Sequence, residues 1–290
     1  MAVNSAALAA PPGLLLPTPT REFEFAEADF RNLAKLAREQ TGIVLAETKS
    51  NLVYSRLARR LRALGLTSFG QYWDYLQGEK GTGEIENFIN SISTNHTKFF
   101  REEHHLEHLH SHVAAPFAKS VKGRGRLRIW SAGCSTGEEP YSIALVLQTT
   151  VPDIEKHDVR ILATDIDTDV LAKASAAEYP ASGLGDIPAK YHGDVETDDS
   201  VMVMSDRVRS LIAYRQLNLL TPWPFKGPFD AIFCRNVMIY FDNDTKTALV
   251  ERFAQMLKPG GWLYIGHSET LLTVHANLQL VGRTTYRRKA

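Results

Sequence analysis

The first residues that could do chemistry form a glycine-bearing turn around Gly133 and Gly137. An apolar run at 127–130 precedes the turn, and Glu139 and Pro140 follow it where a helix is expected to open. Glycine allows positive φ angles and close approach of a ligand to the backbone, and open α/β sheets bind ligands beyond the carboxyl ends of their strands. The turn has neither the dinucleotide fingerprint nor the Lys-Ser/Thr of a phosphate loop. It therefore predicts the floor of a site for a nucleoside without a phosphate chain.

Two acidic residues accompany this turn. Asp165 follows the second apolar run at 159–163, the position at which doubly wound folds hold a ribose by its hydroxyl groups. A carboxylate can accept both hydrogen bonds without any shift in its pKa. Glu139 could contact a cationic or hydroxyl-bearing ligand, although an acid at a helix N-terminus also complements the helix dipole. Together with the turn, the two acids indicate a nucleoside site.

A third polar group follows the predicted buried strand at 229–234. Arg235, Asn236 and Tyr240 come soon after it, and polar groups at the end of a buried strand usually enter a cleft. The alternative is a surface turn with a packed tyrosine. Upstream, the Thr-Asn-His-Thr-Lys-Phe-Phe-Arg run at 94–101 lies at a predicted domain junction, which is a favoured position for a site.

Stripes of apolar residues predict four helices before this junction. The first begins at Glu27 and stops at Gly42, and the second runs over 48–64 with its apolar residues, Leu52 among them, facing inward. Ser68 is expected to cap a third helix, and a fourth follows it.

Short apolar runs alternate with helical stretches from residue 127 onward. This order predicts a mainly parallel sheet with helices on both faces. The last helix is predicted to begin at Asn243 and to close at 258–261, where Lys-Pro-Gly-Gly provides helix-stop signals. The Val-Met-Val-Met run at 201–204 predicts a short antiparallel ribbon. The predicted fold is α/β: a doubly wound, mainly parallel sheet with an all-helical N-terminal domain and a small inserted antiparallel β-subdomain.

These patterns divide the chain into four parts. Residues 1–20, rich in Ala, Pro and Thr, are expected to be a disordered tail, and 21–98 the helical domain. Residues 99–126 are expected to be a linker helix and connector. Residues 127–290 are expected to form the catalytic domain, with the inserted β-subdomain at about 180–212.

Composition restricts the possible classes of protein. The chain has 290 residues, of which 33 are basic and 33 acidic, so its formal net charge is zero. Cys134 and Cys234 form neither a disulfide framework nor a metal-ligand spacing, and neither a secretory signal nor a membrane-spanning run is expected. We therefore expect a cytoplasmic protein without direct membrane insertion. The stretch 31–62 holds eight basic and two acidic residues and is expected to attract an acidic partner.

Seven segments of the chain carry a resemblance to a known family. They are Gly-Ile-Val-Leu-Ala at Gly42, Arg-Leu-Ala-Arg-Arg-Leu-Arg-Ala-Leu-Gly-Leu at Arg56, the run at 94–101, Ser-Thr-Gly-Glu-Glu-Pro-Tyr-Ser at Ser135, Asp-Ile-Asp at Asp165, Cys-Arg-Asn-Val-Met-Ile-Tyr-Phe at Cys234 and Gly-His-Ser-Glu at Gly266. Together they resemble the chemotaxis receptor methyltransferases, which are CheR-type protein-glutamate O-methyltransferases. The resemblance covers nearly everything from about Phe23 to the C-terminus.

The resemblance implies a class I AdoMet methyltransferase-like domain that methylates glutamates of chemoreceptor cytoplasmic domains and releases S-adenosyl-L-homocysteine. It implies that Arg101 and Tyr240 act near the transferred methyl group. The residues implied to contact S-adenosyl-L-methionine are Asn95, Thr97, Arg101, Glu139, Asp165, Asn218, Leu219, Arg235 and Asn236. Those implied to meet the receptor's acidic helices are Arg56, Arg59, Arg60 and Arg62. Some family members also bind a receptor pentapeptide through a Gly-x-Gly-like loop, but the loop at 191–200 holds no such pair. We expect a monomer.

Three alternatives remain beside this interpretation. His104, His108 and His112 share a helical face, but a solvated helix is preferred to a metal site because no cysteine or carboxylate completes a ligand pattern. The arginine-rich helix could bind nucleic acid and make the protein an RNA or DNA methyltransferase, which the neutral net charge disfavours. A catalytically silent AdoMet-sensing adaptor would bind the cofactor without transferring its methyl group. The presence of Arg101, Asn236 and Tyr240 together disfavours the adaptor.

Overall fold

The computed structural model describes residues 21–79, 81–121, 123–269, 271 and 276–290. The predicted tail at 1–20 lies outside these residues. Among the described residues, no helix combines the length and the apolar character needed to cross a membrane.

The described residues before 93 form four α-helices whose apolar faces pack together: α1 Glu27–Thr41, α2 Ser50–Leu64, α3 Phe69–Gln77 and α4 Gly81–Ile92. Gly42 ends α1 with a φ of +76°, as predicted. Ser68 caps α3, because its hydroxyl oxygen accepts the N–H of Gln71 at 3.2 Å. The prediction that Leu52 faces inward is wrong, since its side chain is 38% exposed. Successive helical residues are about 100° apart, and Val53 occupies the inward direction instead.

A helical connection leads from these helices to the sheet. It consists of α5 Glu103–Leu109, a π-helical segment His110–Ala114 and α6 Ala115–Ser120.

Alternating strands and helices follow. The strands are β1 Arg126–Ala132, β2 Asp158–Asp165, β3 Glu178–Pro180, β4 Val195–Thr197, β5 Val201–Met204, β6 Ile212–Gln216, β7 Phe229–Cys234, β8 Leu257–Ile265, β9 Leu278–Gly282 and β10 Thr285–Arg288. The helices are α7 Glu138–Thr150, α8 Thr168–Ala176, α9 Asp206–Arg209 and α10 Asn243–Met256.

The described strands form two sheets. The larger has the order β6-β2-β1-β7-β8-β10-β9. Its first five strands in this order pair in parallel, whereas β10 pairs antiparallel with both β8 and β9. The smaller has the order β3-β5-β4 and is antiparallel, which confirms the inserted ribbon. The predicted fold class is therefore confirmed. The sequence analysis does not predict β9 and β10, whose residues form no continuous apolar run.

Both faces of the large sheet are buried. On β1, Ile129 packs on the face covered by α7, whereas Trp130 packs on the face covered by α10. On β7, Phe233 and Ile232 divide in the same way. This alternation follows from the two-residue period of a strand, and it explains why these strands have apolar residues at almost every position.

The predicted end of the last helix at 258–261 is wrong. Helix α10 ends at Met256, and β8 begins at Leu257. The Pro-Gly-Gly residues lie inside β8, where the pairing register with β7 shifts between Phe229 and Ala231. Gly260 has a φ of +74° there. The glycines therefore form a bulge in a strand, as such residues often do.

Strand β1 divides the order of the sheet: β2 and β6 lie on one side of it, and β7 and β8 lie on the other. Strand β1 pairs in parallel with β2 on one side and with β7 on the other. The carboxyl ends of these three strands consequently lie at one edge of the sheet, at a topological switch point. Gly133, Asp165 and Arg235, at or just beyond these ends, are brought to the same edge.

Candidate functional site

A cleft opens at this edge of the sheet. The space between its walls is about 900 Å³ when the open solvent at its mouth is included. The predicted site residues that line it are Asn95, Thr97, Arg101, Glu139, Asp165, Asn218, Leu219, Arg235, Asn236 and Tyr240. All ten are therefore brought together, although they come from five separate stretches of the chain.

The floor of the cleft is the glycine turn after β1. Gly133 has a φ of +83°, and a Cβ atom there would lie 2.3 Å from the Val237 side chain. Both facts require glycine, because L side chains rarely adopt this φ and the space is filled. Beyond the turn, the backbone N–H of Ser135 donates to Asp165 Oδ2 at 2.8 Å. The turn is thus fixed to the end of the neighbouring strand.

Asp165 is nine-tenths buried at the end of β2. Besides Ser135, it accepts the N–H of Asp167 at 3.1 Å through Oδ1. Burial raises the pKa of Asp165, and these backbone hydrogen bonds oppose the rise. Each carboxylate oxygen keeps a second lone pair. Asp165 therefore both holds the turn and retains capacity to accept ligand hydroxyls.

Asn95 is held by its own contacts inside the cleft wall. Its amide Nδ2 donates to Asp167 Oδ2 at 2.6 Å, and its carbonyl accepts the hydroxyl of Ser135 at 2.9 Å. Asp167 Oδ1 in turn accepts the first N–H groups of α8 as its N-cap. The sequence analysis missed Asp167 as a site residue, although the Asp-Ile-Asp segment contains it. Asn95 therefore joins the helical part of the chain to the sheet.

A buried ion pair crosses the cleft between Glu139 and Arg235. Glu139 Oε2 accepts Arg235 Nε at 2.6 Å, and Oε1 accepts the hydroxyl of Ser131 at 2.6 Å. The Arg235 guanidinium also donates to the backbone carbonyl of Arg101. Both charged side chains are more than nine-tenths buried. Buried charges need such pairing and hydrogen bonding to be tolerated, so the pair joins β1, α7, β7 and the start of α5.

Two cleft residues keep polar atoms available for a ligand. Arg101 lines the cleft and uses Nη1 to donate to the His96 carbonyl at 2.9 Å, which leaves its other guanidinium nitrogens without a hydrogen-bond partner among the described residues. The Tyr240 hydroxyl has no hydrogen-bond partner among the described residues, while its carbonyl accepts the N–H of Val44 at 2.9 Å. These are the two residues that the sequence analysis places near the reacting group.

The wall opposite the strands comes from the end of α1, which the sequence analysis missed. Thr41 and Ile43 line the cleft, and the carbonyl of Gln40 accepts the side-chain N–H of Asn218 at 2.7 Å. The Gly-Ile-Val-Leu-Ala segment at Gly42 is the only signal in the sequence that could have indicated this wall.

The four arginines predicted to dock a partner lie outside the cleft, and three of them have internal partners. Arg60 binds Glu84 through two nitrogens at 2.8 and 2.7 Å, and Arg62 binds Glu22. Arg56 donates to the Ile92 carbonyl at 2.6 Å and to Thr94 Oγ1 at 3.1 Å. Arg59 is exposed.

The histidine-rich segment is only partly the solvated helix that the sequence analysis prefers, because His110 and His112 are exposed and other histidines are packed. His105 is fully buried and shares a hydrogen bond with the Arg283 carbonyl at 3.1 Å. His108 stacks on His112 with ring centroids 3.9 Å apart, against Trp262. Of the predicted common face, His108 and His112 lie together, whereas the ligand-type atom of His104 lies within 4.8 Å of those of Glu102 and His105. The segment packs against the antiparallel edge of the sheet, which the sequence analysis does not predict.

Comparison with known proteins assigns the chain to a family. The family model for the "CheR methyltransferase, SAM binding domain" matches residues 95–287, and the model for the "CheR methyltransferase, all-alpha domain" matches 28–93. A probable chemotaxis protein methyltransferase of Rhizobium etli is 45% identical, over 85% of this chain and 94% of the relative. A chemotaxis protein methyltransferase of Escherichia coli is 40% identical over 94% of both chains. Chemotaxis protein methyltransferase 2 of Pseudomonas aeruginosa is 42% identical over 92% of this chain and 95% of the relative. The chain belongs to the CheR family of SAM-dependent chemotaxis protein methyltransferases.

Proposed function

We propose that this protein transfers the methyl group of S-adenosyl-L-methionine to glutamate side chains in the cytoplasmic domains of chemoreceptors, giving glutamate methyl esters for sensory adaptation and releasing S-adenosyl-L-homocysteine. The observation that carries the proposal is the meeting of Gly133, Asp165 and Asn236 in one cleft. Membership of the family supports methyl transfer in chemotaxis. The choice of a glutamate carboxylate rests on the chemistry that the cleft offers.

The cleft residues fit the parts of this cofactor. Asp165 has lone pairs left for ribose hydroxyls beyond its two backbone hydrogen bonds. The Arg101 side chain suits a carboxylate, because a guanidinium binds carboxylates through paired hydrogen bonds. Arg235 is already paired with Glu139, so it adds little net charge. The cofactor itself supplies a methyl group on a positively charged sulfur, which makes the carbon electrophilic.

A glutamate acceptor needs no strong base in the site. Its side chain has a reference pKa of about 4.3, so it is already an anionic nucleophile at neutral pH. The tasks of the protein are to remove water from that carboxylate and to hold it about 3–3.5 Å from the methyl group, in line with the breaking bond. Tyr240 donates a hydrogen bond that holds the incoming oxygen. A strong donor would reduce the nucleophilicity of the oxygen, and one neutral hydroxyl avoids this.

The acidic helix of the receptor is proposed to lie on α2. Arg56 bonds to Thr94, which lines the cleft, so α2 runs beside the mouth. Arg59 lies three residues further on, on a neighbouring part of the same helix surface, and it is exposed. Of the four predicted docking residues, Arg60 and Arg62 are paired with carboxylates, Arg56 bonds to neutral oxygens, and Arg59 is exposed.

The test is incubation with labelled S-adenosyl-L-methionine and a panel of chemoreceptor cytoplasmic domains, followed by base treatment. Carboxyl methyl esters release labelled methanol on base treatment, whereas methyl groups on amines and amides do not. We expect base-labile label on at least one receptor domain, and none after its methylatable glutamates are changed to alanine. Label on oligonucleotides with a steep salt dependence would favour a nucleic-acid substrate. Tight cofactor binding with no transfer to any receptor would favour an adaptor.

A further inference from the structure

The Gly-His-Ser-Glu segment after β8 ends in a buried carboxylate. Glu269 is only 5% exposed, and it does not line the cleft. Its Oε2 accepts the backbone N–H of Asn236 at 2.9 Å and that of Gly266 at 2.6 Å, while Oε1 accepts the N–H of Ile239 at 3.1 Å. No cation pairs with Glu269 among the described residues. Its charge is therefore held by backbone N–H groups, as in an anion-binding turn.

These hydrogen bonds join the tips of two neighbouring parallel strands. Cys234 on β7 pairs with Ile265 on β8. Glu269 binds the N–H of Asn236, two residues after β7 ends, and that of Gly266, one residue after β8 ends. Converging N–H donors require an acceptor with two oxygens and several lone pairs, which a carboxylate provides and an amide does not. A carboxylate of this length at this point can therefore hold both strand ends at once.

The backbone that Glu269 holds carries the residues proposed to act on the substrates. Asn236 has a φ of +60°, a conformation that costs a non-glycine residue free energy and persists only when its surroundings impose it. Tyr240 ends the short 3-10 turn Met238–Tyr240, whose second residue donates its N–H to the carboxylate.

The adjoining glycine shows how closely the turns fit. A Cβ atom on Gly266 would lie 2.5 Å from Asn236 Nδ2 and 2.8 Å from Glu269 Oε2. Both distances are shorter than real Cβ contacts, so only glycine lets the two turns approach. A residue larger than glycine at position 266 would therefore disturb the contact between Glu269 and Asn236.

We infer that Glu269 is a positioning residue for methyl transfer: it fixes the turn at 235–240 so that Asn236 and Tyr240 project into the cleft. Because Tyr240 is assigned to the acceptor oxygen, this inference rests on the proposed function. Glu269 itself touches neither substrate. Its loss should release the turn, and a displacement of about 1 Å can cost on the order of 100-fold in rate.

The test compares Glu269→Gln with a matched control, Asp230→Asn. Asp230 lies at the opposite end of β7, is 14% exposed, accepts the N–H of Arg128 at 2.8 Å and pairs with Lys258 on β8. It thus resembles Glu269 in burial and in joining the same two strands, but it is far from the cleft. For Glu269→Gln we expect kcat to fall on the order of 100-fold, S-adenosyl-L-homocysteine to bind at least about tenfold more weakly, and the receptor KM to stay unchanged. At temperatures at which the variant is folded, Asp230→Asn should leave kcat, the affinity for S-adenosyl-L-homocysteine and the receptor KM unchanged.

A double variant separates positioning from simple stabilisation. If Glu269 acts through Tyr240, Glu269→Gln and Tyr240→Phe together should cost clearly less than the product of their separate effects on kcat. The inference would be overturned if Glu269→Gln and Asp230→Asn lowered kcat and S-adenosyl-L-homocysteine affinity equally. It would also be overturned if the loss of kcat in the double variant equalled the product of the two single losses. The two proposals fail differently: wild-type protein that forms no base-labile label on receptors contradicts the proposed function, whereas active wild type with an equally active Glu269→Gln variant contradicts only the positioning role.

Discussion

Glu139 and Arg235 stand 96 positions apart in the sequence and form a buried ion pair of 2.6 Å across the cleft. Glu139 begins α7 after the glycine turn, and Arg235 follows β7 directly. The pair therefore fixes the distance between the glycine turn after β1 and the turn that carries Tyr240. Since both side chains are more than nine-tenths buried, neither can lose its partner without leaving a charge away from water.

Glu139→Gln is expected to lower the free energy of unfolding by about 3–5 kcal/mol, the cost of breaking a buried pair by removing one partner. Urea unfolding followed by circular dichroism measures this change. Glu22→Gln is the control, because Glu22 and Arg62 form a pair in which both side chains are about half exposed. Its unfolding midpoint should be nearly unchanged. Equal midpoint shifts for the two variants would contradict the structural role of the buried pair.

Arg101→Ala and Tyr240→Phe are each expected to lower turnover while leaving the fold intact. Removing a charge-assisted hydrogen bond at Arg101 should reduce kcat/KM by about 10- to 100-fold, and removing the Tyr240 hydroxyl by about tenfold. Methyl incorporation into receptor glutamates measures both effects, with circular dichroism as the check on folding. Unchanged incorporation in both variants would reject the proposed roles.

Substitutions of the predicted docking arginines should have different effects, on receptor binding for Arg59 and on stability for Arg60. Arg59→Ala is expected to raise the receptor KM by about two- to fivefold, the scale of an exposed ion pair, and to reduce its salt dependence. Stability and cofactor affinity should not change, because Arg59 is exposed. Arg60→Ala should instead lower the free energy of unfolding by about 1–3 kcal/mol, since it leaves the carboxylate of Glu84, only 4% exposed, without its bidentate partner.

Steady-state kinetics on receptor domains and urea unfolding distinguish these outcomes. Lys35→Ala is the matched control, because Lys35 is an exposed cation on α1 outside the predicted docking set. An unchanged receptor KM in Arg59→Ala would indicate that the receptor binds another surface.

Stability is expected to fall as the pH is lowered from about 6.5 toward 4. Burial lowers the pKa of His105 to about 3, with Arg235 and His104 adding to the effect and Glu102 opposing it. Burial and His112 likewise lower the pKa of His108 to about 4. Below about pH 6.5 these histidines bind protons in the unfolded chain but not in the folded one. The unfolded state is therefore favoured as the pH decreases.

Urea midpoints measured between pH 7.5 and 5 test this prediction. His105→Gln can keep a hydrogen bond to the Arg283 carbonyl and should flatten the dependence of the midpoint on pH. His110→Gln, at an exposed position in the same segment, is the control. A wild-type slope in His105→Gln would show that another group causes the loss of stability.

Local patterns were sufficient for most of the helices and for the parallel strands of the sheet, but not for β9 and β10. Gly42 and Ser68 are end signals that depend on the conformation of one or two residues, and both act as predicted. The wrong prediction of the end of α10 arose because a local stop signal competes with strand pairing. Lys-Pro-Gly-Gly carries equally good stop signals, but pairing of β8 with β7 starts at Leu257, one residue before Lys258, and uses the glycines in a bulge. The local conformational preference of a few residues stabilises less than the pairing of a whole strand does.

Individual contacts within the site were less predictable. Asn95 and Asp165 were predicted as cofactor contacts, and both line the cleft. Their side chains also bind protein groups, because Asn95 bonds to Asp167 and Asp165 accepts the Ser135 N–H. Nothing in a segment of sequence shows which N–H of another segment will lie within 3 Å of a given oxygen.

The amino-acid sequence alone determined the alternation of strands and helices, the glycine turn after β1 and the family to which the chain is similar, because periodicity, turn chemistry and motif spacing are properties of short segments. The packed chain decided which charges are available: it paired Arg60 and Arg62, left Arg59 exposed, and placed Glu269 beneath the turn at 235–240. These pairings join residues 24, 40 and 33 positions apart, and only the packing of the N-terminal helical part and the pairing of β7 with β8 bring them within hydrogen-bond distance.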